Sequence, residues 1–146
     1  MEKFVITIGR EYGSGGHEIA QKLAEYYKLP MYDHNLLDEV AASMNVSSKE
    51  LAEFDEKRRN KFLYRSVMGM NSSPADNVAR MQFDYIKKKA EAGESFVIVG
   101  RCSEIVLKDN PNLISIFVLG DKEAKIERIM QIYELDARHA EERMIE

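Results

Sequence analysis

Residues 4–16 read FVITIGREYGSGG, and this stretch decides the fold. The β-branched, apolar run from Phe4 to Ile8 predicts a buried strand that ends at Gly9. Three more glycines follow within seven residues, and apolar side chains then recur at helical spacing to about Lys28. A strand, a glycine loop and a helix in this order turn backbone N–H groups toward an anion. The stretch therefore predicts a phosphate site, the alternative being a glycine-rich turn that only connects strand to helix.

The rest of the chain continues the alternation of strands and helices. Further strands are predicted at 29–33, 96–99 and 113–119, and further helices at 35–42, from Ser47 or Ser48 to about 64, at 75–92, from 121 or 122, and at 136–146, with a loop at 69–74. Such an alternation is typical of a parallel sheet with right-handed crossovers. The predicted fold class is α/β, a three-layer α/β/α arrangement with a parallel sheet.

The predicted strand ends carry glycine or charge. They are Gly9-Arg10, Asp33, Gly100-Arg101 and Gly120-Asp121. Ligands of parallel α/β sheets bind beyond the carboxyl ends of the strands. We therefore expect the site at this edge of the sheet.

Bulk properties limit the classes of function. A chain of 146 residues suits one domain, and a formal net charge of -4 argues against non-specific nucleic-acid binding. Cys102 is the single cysteine, so no internal disulfide forms, and no apolar stretch approaches the ~20 residues of a membrane span. We expect a cytoplasmic protein without nucleic-acid or membrane partners. The apolar middle helices would suit either a homodimer or the protein's own core.

The glycine loop departs from the standard phosphate-loop pattern G-x-x-x-x-G-K-[ST]. If Gly15 is the second glycine of the pattern, Arg10 takes the place of the first glycine. Gly16 then stands at the lysine position and His17 at the hydroxyl position. Arg10 or His17 would supply part of the missing charge, and Ser14 or a water would serve Mg²⁺.

Two glycine–arginine segments carry a family resemblance. The chain resembles the cytidylate-kinase-like family of the P-loop nucleoside monophosphate kinase superfamily. The resemblance lies in ITIGREYGSGG at 6–16, in FVIVGRC at 96–102, and in IFV at 116–118 with Arg128 on the next helix. The resemblance covers nearly the whole chain. It implies a P-loop kinase fold that moves the γ-phosphoryl group of ATP to a nucleoside monophosphate, nominally CMP or dCMP, with Mg²⁺. It also implies a lid and a last strand beyond Glu146, and a helical insertion at about 35–92 that covers the acceptor.

The resemblance also implies roles for particular residues. ATP would be held by the loop and the start of its helix, namely Gly13, Ser14, Gly15, Gly16, His17 and Glu18. Arg101 matches the arginine that contacts the acceptor phosphate, and Cys102 stands where the family has an aspartate. With Asp33, these two form the expected acceptor site. Arg10 and Arg101 are the expected catalytic residues.

Each assignment has an alternative. Arg10 is either a donor-phosphate contact or part of a surface salt bridge, and Arg101 is either an acceptor-phosphate contact or an ion-pair partner of Asp33 or Glu104. Asp33 is either an acceptor or water ligand or a helix cap. The alternative function is a non-catalytic nucleotide- or phosphate-binding protein, because the loop lacks its lysine.

Overall fold

The computed structural model describes residues 2–33, 35–44, 47, 49 and 74–145. Its strands are β1 (Val5–Arg10), β2 (Met31–Tyr32), β3 (Phe96–Val99) and β4 (Leu113–Val118). Its helices are α1 (Gly16–Tyr27), α2 (Leu36–Met44), α3 (Pro74–Glu91), α4 (Ser103–Val106), α5 (Lys122–Tyr133) and α6 (Ala137–Ile145). The predicted helix reaching residue 64 and the predicted loop from residue 69 lie outside the described residues, except for isolated positions at their edges.

The strands form one sheet in the order β2-β3-β1-β4, in which β1 runs parallel to both neighbours. The first strand was predicted to end at Gly9, but it continues to Arg10. The reason is its register with β4, which pairs Gly9 with Phe117 and Arg10 with Val118. This extension fixes the backbone of Arg10 in the sheet at the edge where the loop begins.

The core on one face of the sheet lies beneath α1. Ile6 and Ile8 of β1 and Val97 and Val99 of β3 are buried there against the helix, with Leu23 and Ile116 among the partly buried side chains around them. Ala20 and Ala24 are the buried side chains that α1 presents in this cluster, one helical turn apart. Their small size lets the helix approach the sheet closely, which fixes its N-terminus at the end of β1.

The chain divides into two compact units. One comprises residues 1–31 and 95–146, and the other comprises residues 32–94. In the second unit α2 packs against α3, with Leu36, Val40 and Ile86 buried. The insertion predicted at about 35–92 and its role over the acceptor stay predictions.

Strand β4 was predicted as a strand, and it carries large apolar side chains that are exposed. The side chains of Ile114 and Phe117 are 47% and 64% exposed. The strand stands at one end of the described sheet order, where it has a single neighbour, β1. An apolar sequence therefore predicted the strand but not its exposure.

Two buried hydroxyl groups, those of Thr7 and Ser103, differ in whether they have a hydrogen-bond partner, and their removal should change the stability in opposite directions. Within the described part of the chain, Oγ1 of Thr7 is buried without a hydrogen-bond partner, whereas Oγ of Ser103 donates to the carbonyl of Gly100 at 2.8 Å. We expect Thr7→Val to raise the free energy of unfolding by about 1 kcal/mol and Ser103→Ala to lower it by about 1 kcal/mol. Urea denaturation of both variants measures this. Destabilisation of similar size in both would contradict the assignment of Thr7.

Candidate functional site

The loop between β1 and α1 contains two left-handed glycines. Gly13 has φ 79° and Gly15, the N-cap of α1, has φ 84°. Because L side chains rarely adopt this region, glycine is needed at both positions. The loop is closed by a hydrogen bond from the Ser14 N–H to the Glu11 carbonyl at 3.1 Å. The loop leads directly into α1, whose N-cap, Gly15, and first residue, Gly16, both lack a side chain.

Helix α5 holds the loop from the side of β4. The Lys125 ammonium lies 2.7 Å from Oε2 of Glu11, and its side chain is only 12% exposed. This hydrogen bond is the main cause that lowers the pKa of the Glu11 carboxyl. The Lys125 stem passes over Gly120, where an added Cβ would meet Cγ at 3.0 Å. Lys125 thus anchors the loop through Glu11.

Arg10 crosses from the end of β1 to the end of β3. A Cβ added at Gly16 would lie 2.5 Å from Cβ of Arg10, and one added at Gly100 would lie 3.0 Å from its Nη1. The stem of Arg10 therefore fills the space beside Gly16, and its guanidinium covers Gly100. A lysine at position 16 would collide with this stem. The position of Arg10 therefore requires glycine, and excludes the standard lysine, at residue 16.

A second guanidinium, that of Arg128, lies against the loop at Gly15. A Cβ added at Gly15 would meet Cζ of Arg128 at 3.0 Å. Nη1 of Arg128 also lies 2.8 Å from Oε2 of Glu18 in the first turn of α1. The N-terminus of α1 is thus adjacent to Arg10 at Gly16 and to Arg128 at Gly15. An anion bound at this N-terminus would have both cations as neighbours.

The oxygen of Ser14 supports the same location. Its Oγ is buried and has no hydrogen-bond partner among the described residues. An orphaned hydroxyl costs free energy unless a bound molecule satisfies it. A phosphate bound at this loop would be able to supply the partner that the Ser14 oxygen lacks.

The segment after β3 carries backbone strain. Gly100, Arg101 and Cys102 have φ values of 70°, 63° and 51°, three consecutive left-handed residues. Each non-glycine residue there costs about 1–2 kcal/mol. The turn is held by Ser103, whose N–H and hydroxyl both donate to the Gly100 carbonyl, and by the Gly100 N–H, which donates to Ile8. Strain of this kind concentrates at functional sites, which supports a role for Arg101.

An aromatic contact joins α6 to the loop. Nε of Arg143 donates to the Tyr12 hydroxyl at 2.8 Å, and its guanidinium carbon lies 4.0 Å from the ring centre of Tyr133. The Tyr12 and Tyr133 rings are stacked at 6.3 Å. Burial is the main cause that raises the pKa of the Tyr12 phenol. The loop is therefore braced by α5 through Lys125 and by α6 through Arg143.

The structure brings most of the predicted residues together. Arg10, Gly15 and Gly16 meet at the start of α1, and Arg10 reaches Gly100, next to Arg101. His17 and Glu18 lie exposed in the first turn of α1. Asp33 lies in the other unit, where its Oδ1 accepts a hydrogen bond from the Asn35 N–H at 3.2 Å, as expected of a residue that precedes a helix. The roles of these residues toward a ligand stay predictions.

Sequence reasoning missed Lys125 and Arg143 and named Arg128 only through the resemblance. Lys125, Arg128 and the buried Ile129 are spaced i, i+3, i+4, so they share one helix face. That spacing was the available signal. For Arg143, which contacts a residue 131 positions away, no local pattern exists.

Two negative findings apply to the described residues alone. None of their helices is both long enough and apolar enough to cross a membrane. In the same ranges, no three His, Cys, Asp or Glu residues lie close enough to bind a metal ion together.

A parallel sheet with a glycine loop before a helix, flanked by arginines, defines the α/β class of kinase-like phosphate-binding folds. Comparison with protein families matches residues 5–146 to the cytidylate kinase-like family, and the chain belongs to it. The predicted family and the predicted α/β kinase fold with a parallel sheet are thereby confirmed. Family and fold indicate a phosphotransferase-like role.

Solved structures share this fold. An uncharacterized protein from Eubacterium ventriosum is 43% identical, with a TM-score of 0.71 over 97% of this chain and 69% of that one. Shikimate kinase from Bacteroides thetaiotaomicron is 11% identical, with a TM-score of 0.55 over 97% of this chain and 75% of its own. A protein from Thermus thermophilus is 16% identical, with a TM-score of 0.52 over 96% and 78%. The latter two share the fold alone. No curated protein matches this sequence.

Proposed function

We propose that this protein transfers the γ-phosphoryl group of ATP to a nucleoside monophosphate, with CMP or dCMP as the expected acceptor. The observation that carries the proposal is the start of α1. There, two left-handed glycines precede the helix, the buried Ser14 hydroxyl lacks a hydrogen-bond partner, and the stem of Arg10 lies against Gly16 while its guanidinium reaches Gly100. Phosphoryl transfer depends mainly on positioning and on stabilising charge, and this arrangement supplies both.

Arg10 and Arg101 have different roles in the proposal. Arg10 lies between the loop and Gly100, so it would contact the donor phosphates at the point of transfer. Arg101 follows at the end of β3 and would clamp the acceptor phosphate, since a guanidinium binds phosphate through two parallel hydrogen bonds. Mg²⁺, when bound with ATP, would neutralise charge on the phosphates. In the transfer, the bond from the γ-phosphorus to its bridging oxygen breaks, a bond to an acceptor phosphate oxygen forms, and ADP leaves.

A second candidate is a nucleotide- or phosphate-binding protein that does not catalyse transfer. The observation in its favour is Gly16, which stands at the lysine position of the standard pattern while the Arg10 stem occupies the neighbouring space. That lysine normally contacts the β- and γ-phosphates during transfer. The glycine loop at the start of α1 would still bind a phosphate without that lysine.

A coupled assay of ADP formation with Mg²⁺ and ATP tests the proposal. The acceptors are CMP, dCMP, UMP, AMP and, because a solved kinase of this fold is named for it, shikimate. We expect turnover with CMP or dCMP. The informative variant is Arg101→Gly, which removes the guanidinium but suits the backbone φ of 63°. It should raise KM for the acceptor at least about tenfold without loss of stability, in line with a lost charge-assisted bond. Binding of ATP without turnover on any acceptor would favour the second candidate.

A further inference from the structure

Glu18 binds a guanidinium for which an anionic ligand at the glycine loop would compete. Its Oε2 lies 2.8 Å from Nη1 of Arg128, and its Oε1 lies 3.2 Å from the ammonium of Lys22. The guanidinium that Glu18 holds is the one that lies against Gly15 at the N-terminus of α1. Both partners lower the pKa of the Glu18 carboxyl, Lys22 more than Arg128. A carboxylate is therefore bound to the guanidinium that lies against Gly15.

The local chemistry favours an anion at this place. Glu18 is in the first helical turn, where the partial positive charge of the helix stabilises a carboxylate. A carboxylate and a phosphate offer a guanidinium the same fork of two oxygens. If phosphate binds the loop, its negative charge lies beside that of Glu18, and the two compete for Arg128.

We propose that Glu18 is a resident counter-anion that occupies Arg128 in the ligand-free protein and is displaced when phosphate binds the loop. This inference rests on the proposed function, and it changes the role that the sequence suggested for Glu18 from cofactor contact to competitor. The guanidinium of Arg128 then becomes available beside Gly15, in addition to that of Arg10. Displacement requires no backbone movement, because the Glu18 side chain is about half exposed, at 53%.

If Glu18 instead supported ligand binding, its substitution would change the affinity in the opposite direction. If Glu18 held Arg128 in the correct orientation for the ligand, its removal would weaken binding. Substitution of Glu18 by glutamine keeps its size and removes its charge. The direction of the change in affinity therefore distinguishes competitor from support.

The test is calorimetric titration with inorganic tripolyphosphate and with ATP at low ionic strength. We expect Glu18→Gln to lower the Kd for both about fivefold, the scale of a partly exposed ion pair. The matched control is Glu25→Gln, which removes the same charge from an exposed position two turns further along α1. It should leave the Kd within twofold. Arg128→Gln should weaken binding, and adding Glu18→Gln to it should bring no gain.

Each outcome decides between proposals. Unchanged or weaker binding in Glu18→Gln, when the original protein binds, overturns the counter-anion and leaves the proposed function standing. A gain that persists fully in the Arg128→Gln background also overturns it, because the effect would then not pass through Arg128. If neither the original chain nor Glu18→Gln binds either probe at millimolar concentration, while circular dichroism shows both folded, this inference and the proposed function fail together.

Discussion

Replacing Gly13 by alanine is expected to lower the free energy of unfolding by about 2–4 kcal/mol, the sum of a backbone and a packing cost. The backbone cost arises because φ at this position is 79°. The packing cost arises because the new Cβ would lie 2.9 Å from Cδ1 of Ile129 and 3.1 Å from the backbone oxygen of Lys125. Ile129 is 1% exposed, so it has little room to move away.

Chemical denaturation followed by circular dichroism measures this loss. A control for the backbone cost is Lys28→Gly at the C-cap of α1, where a non-glycine residue has φ 55° on the exposed surface. That variant should gain about 1 kcal/mol, because glycine relieves the left-handed strain without any crowding. The prediction is contradicted if Gly13→Ala loses no more free energy of unfolding than Lys28→Gly gains. That result would mean that Ile129 and Lys125 move to accommodate the new Cβ, and that the loop is not tightly packed on α5.

The sequence predicted the elements near the site well because local signals determine them. The run of apolar and β-branched residues from Phe4 to Ile8 and the glycines after it determine β1 and the start of α1, and the structure confirms both. Phe96–Val99 was predicted as the third strand and is β3 without change. Strand ends in a parallel sheet follow from the order of elements, so the edge that carries Arg10 and Gly100 could be predicted as well.

What the sequence could not predict depends on contacts between distant residues. The bracing of the loop joins Glu11 to Lys125 and Tyr12 to Arg143, pairs more than a hundred positions apart. The strain at Arg101 and Cys102 is also absent from any local pattern, because neither residue type favours a positive φ. The space beside Gly16 is filled by Arg10, which no spacing rule reveals. These features concern side-chain geometry, which the order of strands and helices leaves open.

Replacing Arg10 by methionine should reduce kcat/KM for phosphoryl transfer about 10²- to 10³-fold, the loss seen when one preorganised charge-stabilising donor is removed. Methionine keeps an unbranched stem against Gly16, where Cβ and Cγ of Arg10 now lie within 3.0 Å of an added Cβ. It removes the guanidinium that covers Gly100 at the end of β3. The fold should therefore persist while the charge is lost.

Steady-state kinetics with varied ATP and a saturating acceptor measures the effect. A lower kcat with little change in KM for ATP would mean that Arg10 acts on the charge that develops during transfer, whereas a higher KM alone would mean ground-state binding. The matched control is Arg138→Met, which removes a guanidinium that is 85% exposed and paired with Glu142 one turn along α6. It should keep kcat/KM within twofold. Equal losses in the two variants would show that net charge, and not the position of Arg10 beside the glycine loop, controls the rate.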